Sequence, residues 1–267
     1  MAKIEIQKLK IEQKIENKMF PGDIRPYFGI SGIGNKCPRA LWYSFRWVSL
    51  VKHTARQHRL LQRGHREEPV IIADLEDAGC YVHSTQAEVT AGNGHIKGHN
   101  DGIVENLPDA PKTPHLLEIK TANDKNFAKM KKDGVIDEYI AQAQCYMKLL
   151  KLKRCLFVVV NKNNDERYYE RINYSAKKAN QLLKRAYDII STETPPSKIG
   201  GSSWYECKWC DHYDVCHFDE DPQMNCRTCH YCDIYDEGQW GCSLFECSLS
   251  YEEQLVGCEG WQRMETL

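Results

Sequence analysis

The sequence predicts a mixed α/β fold: a central sheet flanked by helices, followed by a small cysteine-rich module. Three observations predict it. Segments of helical period alternate with short strand-like runs as far as residue 190. The apolar strand His115-Leu116-Leu117 runs into Glu118 and Lys120, odd choices for a half-buried strand unless they do chemistry. Eight of the thirteen cysteines fall between Cys207 and Cys247, with Cys258 just beyond, where periodicity fades.

The elements run in order along the chain. Residues 3–19 read as a short charged helix with Ile4, Ile11 and Ile15 on one face, ended by Pro21-Gly22. Ser31-Gly32-Ile33-Gly34 is a flexible turn before Cys37-Pro38-Arg39-Ala40-Leu41-Trp42-Tyr43, a helix start with proline in its first turn. Leu60, Leu61, Val70, Ile71 and Leu75 carry helical period from Leu60 to Ala78, and Gly79 terminates it. Strands are expected at Tyr81 to Thr90, Lys97 to Glu105 and His115 to Thr121, with a proline-rich loop over Asn106 to Pro114. Helix returns from Asp137 to Leu150. Cys155 to Val160 and Tyr168 to Ile172 form a hairpin. Ser175 caps a last amphipathic helix to Ile190, and Pro195-Pro196 bars regular structure just after it. Beyond about residue 218 the chain is too short and apolar-poor to hold itself without metal.

At 267 residues there is room for one substantial core plus an appended module, divided at 1–218 and 219–267. The hydrophobic fraction, 42%, is that of a globular protein. No run approaches the ~18 apolar residues of a membrane span. Met1 to Met19 lacks an apolar core for export, so the cytoplasm is expected. A net charge of −1 excludes a uniformly basic nucleic-acid binder, though not a locally basic groove. Lys and Arg cluster from Lys52 to Arg66 and from Lys125 to Lys132; each cluster alone fits a solvated helix face equally well.

The chemistry concentrates at Gly98-His99-Asn100-Asp101-Gly102 and Glu118-Ile119-Lys120. Glu118 and Lys120 are two apart in a strand, so both point to one face while Ile119 points to the other. Asp101 and Glu118 can share a hard divalent ion, with Lys120 beside an attacking water. Singly, Asp101 also suits a plain turn, Lys120 a plain ion pair, and His99 a packing role.

These residues resemble the PD-(D/E)xK nuclease superfamily, more closely its exonuclease branch. Gly64-His65-Arg66-Glu67-Glu68-Pro69 resembles the G-x-x-x-E helix motif of lambda-exonuclease-like enzymes, and Gln142-Ala143-Gln144-Cys145-Tyr146 their Q-x-x-x-Y motif. The resemblance implies a restriction-endonuclease-like core. It also implies Mg²⁺ or Mn²⁺ on Glu68, Asp101, Glu118 and the carbonyl of Ile119, and catalytic duties for Lys120, Gln142 and Tyr146. RecB-like relatives usually carry His at the position of Glu68, which favours the lambda type. Ser31, Arg39, Arg59, Arg63 and Lys125 are the candidate DNA contacts.

Thirteen cysteines in a reducing compartment speak for metal rather than disulfides. Cys207-Lys208-Trp209-Cys210 with Cys216 supplies three ligands, and Cys37 is the candidate fourth. That split resembles the iron–sulfur clasp of AddB-type and CRISPR-associated nucleases and implies a 4Fe–4S cluster. Zinc at the same residues, with His212 or His217 as substitutes, is the alternative. Cys226, Cys229, Cys242 and Cys258 suit a zinc-ribbon-like site, with Cys232, Cys247 and His230 competing. Cys80, Cys145 and Cys155 read as buried small apolar residues.

The function expected is a metal-dependent DNA exonuclease of phage recombination or processing, in the host cytoplasm if phage-encoded. A phage single-strand annealing protein or recombinase is the expected partner. A structure-selective or nicking endonuclease would use the same residues. An inert DNA-binding scaffold would not need Asp101, Glu118 and Lys120 together, and no G-x-G-x-x-G after a strand supports a redox enzyme.

Overall fold

The computed structural model describes residues 10–265. Its elements run α1 (Ile11–Glu16), β1 (Met19–Pro21), β2 (Phe28–Gly29), α2 (Pro38–Phe45), β3 (Lys52–Thr54), α3 (Ala55–Asp77), β4 (Tyr81–His83), β5 (Glu88–Ala91), β6 (Ile96–His99) and β7 (Gly102–Glu105). Next come β8 (His115–Ala122), α4 (Asp124–Asp133), α5 (Asp137–Leu149), β9 (Arg154–Asn161), β10 (Arg167–Asn173) and α6 (Ala176–Ile190). The tail holds α7 (Tyr205–Lys208), α8 (Tyr213–Phe218), β11 (Cys232–Ile234), β12 (Trp240–Cys242), β13 (Cys247–Leu249) and α9 (Tyr251–Leu255).

The fold is mixed α/β. A central sheet of order β10-β9-β8-β7-β4 has β8 parallel to β9 and the remaining pairs antiparallel. A parallel neighbour needs a crossover, which α4 and α5 provide. β8 and β9 alternate between two cores. Leu116, Phe157 and Val159 join α5 and α6 on one face, while Leu117, Ile119, Val158 and Val160 meet Ile71 and Leu75 of α3 on the other. Burial on both faces explains the unbroken apolar run of β9. Thr54 opens α3 with a capping box to Gln57, and Ser175 caps α6 by accepting from the Lys178 N–H.

Two expected strands are each broken in two. Tyr81 to Thr90 becomes β4 and β5 in different sheets, because Ser84 and Gln86 take left-handed φ of 51° and 55°. Lys97 to Glu105 becomes β6 and β7, interrupted at Asn100 and Asp101. The break has its own supports: the Gln86 N–H donates to the Asn100 carbonyl at 2.9 Å, and the Asn100 N–H to the Ala87 carbonyl at 3.3 Å. At the N-terminus, α1 is shorter than the expected helix, since β1 already pairs with β3; Ile4 lies outside the described residues. The Lys125 to Lys132 cluster lies on a helix of its own, α4, with Phe127 and Met130 buried beneath it.

The tail forms an antiparallel sheet, β11-β12-β13, and docks on α2. Trp240 is 1% exposed and belongs to the main core, packing against Phe45 with ring centroids 5.0 Å apart. Arg46 donates to the carbonyls of Arg227 and Cys232, both at 3.2 Å. No helix among the described residues is long and apolar enough to cross a membrane.

Candidate active site

Strand alternation puts Glu118 and Lys120 on the α5 side of β8. Glu118 is fully buried. Its Oε1 accepts from Lys120 Nζ and, at 2.8 Å, from Gln142 Nε2 of α5. Its Oε2 is buried with no hydrogen-bond partner among the described residues. The broken strand brings in Asp101, whose Oδ2 accepts from the Ile119 N–H at 2.7 Å and ties the turn to β8. From α3 comes Glu68, with Oε2 accepting from Gln86 at 3.1 Å and Oε1 3.3 Å from His65 Nδ1. Tyr146 is 2% exposed, yet its hydroxyl donates to the His99 carbonyl at 2.9 Å, so it serves both the core and the turn. Glu68, Asp101, Ile119, Lys120, Gln142 and Tyr146 line one cleft of about 470 Å³.

The electrostatics are those of crowded acids. Burial pushes the Glu118 pKa up to about 7; Lys120 opposes the rise, while Asp101 and Glu68 add to it. Burial raises Asp101 against Lys120 and the Ile119 N–H, and raises Glu68 with help from Asp101. For Lys120 burial works downward, but Glu118 and Asp101 overcome it and the ammonium is held charged. Three carboxylates crowd one ammonium, and each of the three acids is raised by burial. Hard oxygen donors with an orphaned buried oxygen suit a divalent cation. Among the described residues, no three His, Cys, Asp or Glu side chains are drawn into a ready metal-holding group.

Of the candidate DNA contacts, Ser31 lines the cleft. Arg39 does not: its Nε donates to Tyr43 at 2.9 Å and its NH1 to the Pro196 carbonyl at 3.0 Å, beside the thiols. Arg59 is paired with Glu16, and Arg63 with Glu67 and Asp165; Lys125 is exposed on α4. Sequence reasoning missed Arg25, His65 and Lys97 on the cleft walls. Lys97 and His99 share the alternation of β6, a readable signal; His65 lies within the quoted helix motif. Arg25 carried none, being on an irregular segment.

Gly98 lets the turn close. An added Cβ would stand 2.5 Å from the Tyr146 hydroxyl and 3.0 Å from Ile30 Cβ. Gly98→Ala is therefore expected to cost about 1–3 kcal/mol, a typical overpacking penalty, and to displace Tyr146 from the His99 carbonyl. Chemical denaturation together with a cleavage assay checks this; unchanged stability and rate would show that the turn has slack.

The cysteines gather at two places. Cys37, Cys207, Cys210 and Cys216 line one cavity of about 490 Å³ with His212 and His217. Cys37 also caps α2, its Sγ accepting from the Ala40 N–H at 3.4 Å. Burial raises the thiol pKa of Cys207, Cys210 and Cys216, and Cys37 adds to the rise in each. His212 Nε2 lies 2.9 Å from Ser44 Oγ, and burial pulls its pKa down to about 4. Cys226, Cys229, Cys232, Cys242 and Cys258 line a pocket of about 20 Å³. Burial pushes the Cys226 thiol up to about 11, followed by the influence of Cys258, Cys229 and Cys242. Cys247 and His230 are exposed and do not line it. Cys80, Cys145 and Cys155 are buried in the core.

Comparison with known proteins adds a similarity. Residues 35–149 match the model of the YqaJ-like viral recombinase domain. The alkaline exonuclease LHK-Exo from Laribacter hongkongensis is a similar structure, with 19% identity over 62% of this chain and 86% of that one, and a TM-score of 0.44. SSO0001 is 18% identical over 78% of this chain and 92% of that one, with a TM-score of 0.45. A phage related exonuclease from Haemophilus somnus 129PT is 16% identical over 49% and 70%, with a TM-score of 0.33. No curated protein matches the chain. The family match covers α2, α3, the broken strand, β8 and α5, which together carry every acidic and amide residue of the cleft's motifs. Residues 35–149 are thus similar to the YqaJ-like viral recombinase domain, and the motifs of the cleft within them resemble those of phage-type PD-(D/E)xK nucleases.

Proposed function

We propose that this chain is a divalent-metal-dependent exonuclease that hydrolyses the phosphodiester bonds of DNA, serving phage recombination or DNA processing. The observation that carries the reading is the buried Oε2 of Glu118, unpartnered among the described residues and set among Asp101, Glu68, Lys120 and Gln142. Glu68, Asp101, Glu118 and the Ile119 carbonyl would hold Mg²⁺ or Mn²⁺. Such an ion supplies Lewis-acid charge at the scissile phosphate when bound. Gln142 fixes the Glu118 carboxylate, and Tyr146 fixes the His99 carbonyl and with it the turn of Asp101. Lys120, which lines the cleft, would orient the attacking water and counter the charge that develops on phosphate. Arg25 donates to Ser31 Oγ at 2.9 Å on the cleft wall, a guanidinium and hydroxyl suited to a terminal phosphate. That pair and the viral recombinase family support action from an end.

The nuclease domain would span 1–218, with a 4Fe–4S cluster on Cys37, Cys207, Cys210 and Cys216. The support is four thiols on one cavity, one of them from far upstream. A zinc ion on Cys226, Cys229, Cys242 and Cys258 would organise 219–267, with Cys232 the one remaining competitor at that pocket. A phage annealing protein or recombinase is the proposed partner, in the host cytoplasm.

The test is cleavage of end-labelled linear and closed circular DNA, with Mg²⁺ or Mn²⁺, by wild type, Glu118→Ala and Lys120→Ala. Loss of linear DNA alone, with both variants dead, is the expected result. Cutting of closed circles would make the enzyme an endonuclease, and activity unchanged in the variants would remove the site.

A further inference from the structure

We infer that the cysteine-rich C-terminal segment braces the catalytic cleft, with Arg227 and Tyr251 as positioning residues that set how tightly DNA is held. The inference rests on the nuclease reading of the cleft. It concerns residues 22–27, the irregular strap between β1 and β2. Asp23, Arg25 and Tyr27 of this strap line the cleft. A strap without strand ladders must have its carbonyls satisfied from elsewhere, and those donors fix where its side chains stand.

The donors are specific. Tyr251 donates its hydroxyl to the Ile24 carbonyl at 3.1 Å, Trp47 its indole N–H to the Arg25 carbonyl at 2.8 Å, and Arg227 its NH2 to the Pro26 carbonyl at 2.8 Å. Two of the three come from the tail, 227 and 201 positions away in sequence. The third is held by the same two residues. The Arg227 guanidinium lies 3.7 Å from the Trp47 ring centroid, and the Tyr251 ring meets Trp47 edge-on at 5.8 Å.

Arg227 is 0% exposed, an expensive place for a guanidinium. Nε and NH2 donate to Gln254 Oε1 at 2.9 and 2.7 Å, NH1 donates to the Phe45 carbonyl at 2.9 Å, and Trp240 stacks at 4.1 Å. An apolar side chain would fill this core at lower cost but could not fix three backbone and amide oxygens at once. Arg227 also sits between Cys226 and Cys229, so whatever orders those thiols orders the brace. No tail residue among the described residues lines the cleft itself. The brace therefore acts on Arg25 and leaves the chemistry at Glu118 and Lys120 alone.

Full-length wild type, Tyr251→Phe, Arg227→Lys and Arg25→Ala are compared for KM and kcat on linear duplex DNA with Mg²⁺. Dissociation constants for the same labelled duplex are measured in parallel, without cleavage. Tyr251→Phe removes one hydroxyl and keeps the ring, so folding is preserved. It is expected to raise KM and the dissociation constant about fivefold, the worth of one hydrogen bond, with kcat nearly unchanged. Arg227→Lys should weaken binding further. In the Arg25→Ala background Tyr251→Phe should add almost nothing, since the brace works through Arg25. Unchanged binding in Tyr251→Phe, parallel losses of kcat and thermal stability, or full additivity with Arg25→Ala would each overturn the brace. A wild type that binds duplex without cutting it would overturn the nuclease reading while the dissociation constants still decide the brace. One that does neither overturns both.

Discussion

Glu118→Gln is expected to abolish cleavage and, in the metal-free protein at pH 8, to raise stability. The loss follows from role: removing one group of a preorganised charge-stabilising site costs on the order of 10²–10³ in rate, and the buried carboxylate is the centre of this one. The gain follows from linkage. The Glu118 pKa stands at about 7 in the fold against an ordinary 4.5, a rise that already includes the opposing pull of Lys120. A folded pKa above the unfolded one contributes stability that is complete below the unfolded value and is lost as pH climbs through the folded value. Ionised Glu118 thus costs the metal-free protein about 3 kcal/mol at pH 8, and nothing at or below about pH 4. Glutamine keeps the shape and the amide contacts without the charge. Part of the gain is returned because Lys120 loses its partner, leaving about 1–3 kcal/mol, or several degrees in melting temperature. Thermal unfolding in chelator at pH 5 and pH 8 reads it directly. Wild type should lose more stability than Glu118→Gln between the two. A variant that is less stable at pH 8 would mean the acids are not in conflict, and the cation-site reading would lose its physical basis.

How much of this could be read from the chain depends on the kind of signal. Helices α2, α3, α5 and α6 and the hairpin of β9 and β10 were legible because each carries its own periodicity and punctuation. Glu118 and Lys120 were legible because charge at the end of an apolar strand needs a reason. Tyr81 to Thr90 and Lys97 to Glu105 were not: Asn100-Asp101-Gly102 offers a turn, but nothing local there or in Ser84 and Gln86 announces a change of sheet. The backbone bonds between Gln86, Ala87 and Asn100 are tertiary facts. Arg25 was invisible for the same reason: an irregular strap has no period, and its place is decided by Trp47, Arg227 and Tyr251. The tail reads as polar and aperiodic because its burial partners are on α2, and its Arg227 and Trp240 look like surface and aromatic ornament until Phe45 and Trp47 stand beside them.

The cysteine cavity carries the other large expectation. Cys37 and Cys207 are 170 residues apart, and α2 begins on Cys37 with Trp42 and Tyr43 buried in the core behind it. A cluster bonded to Cys37, Cys207, Cys210 and Cys216 would close that loop, and cross-links closing loops of such length are worth about 4–5 kcal/mol by the chain-entropy argument. Protein purified without oxygen is expected to be brown. Cys37→Ser should be pale and should melt about 10 °C or more lower, at the few degrees per kcal/mol of a chain this size. Cys232→Ser lines only the tail pocket, so it should keep the colour. Metal analysis separates the alternatives. Colourless wild type that loses one zinc in Cys37→Ser would replace iron–sulfur by zinc at the same thiols. Equal metal content and equal melting in wild type and Cys37→Ser would leave Cys37 only its cap on α2, and the link between the two ends of the nuclease core would then rest on packing alone.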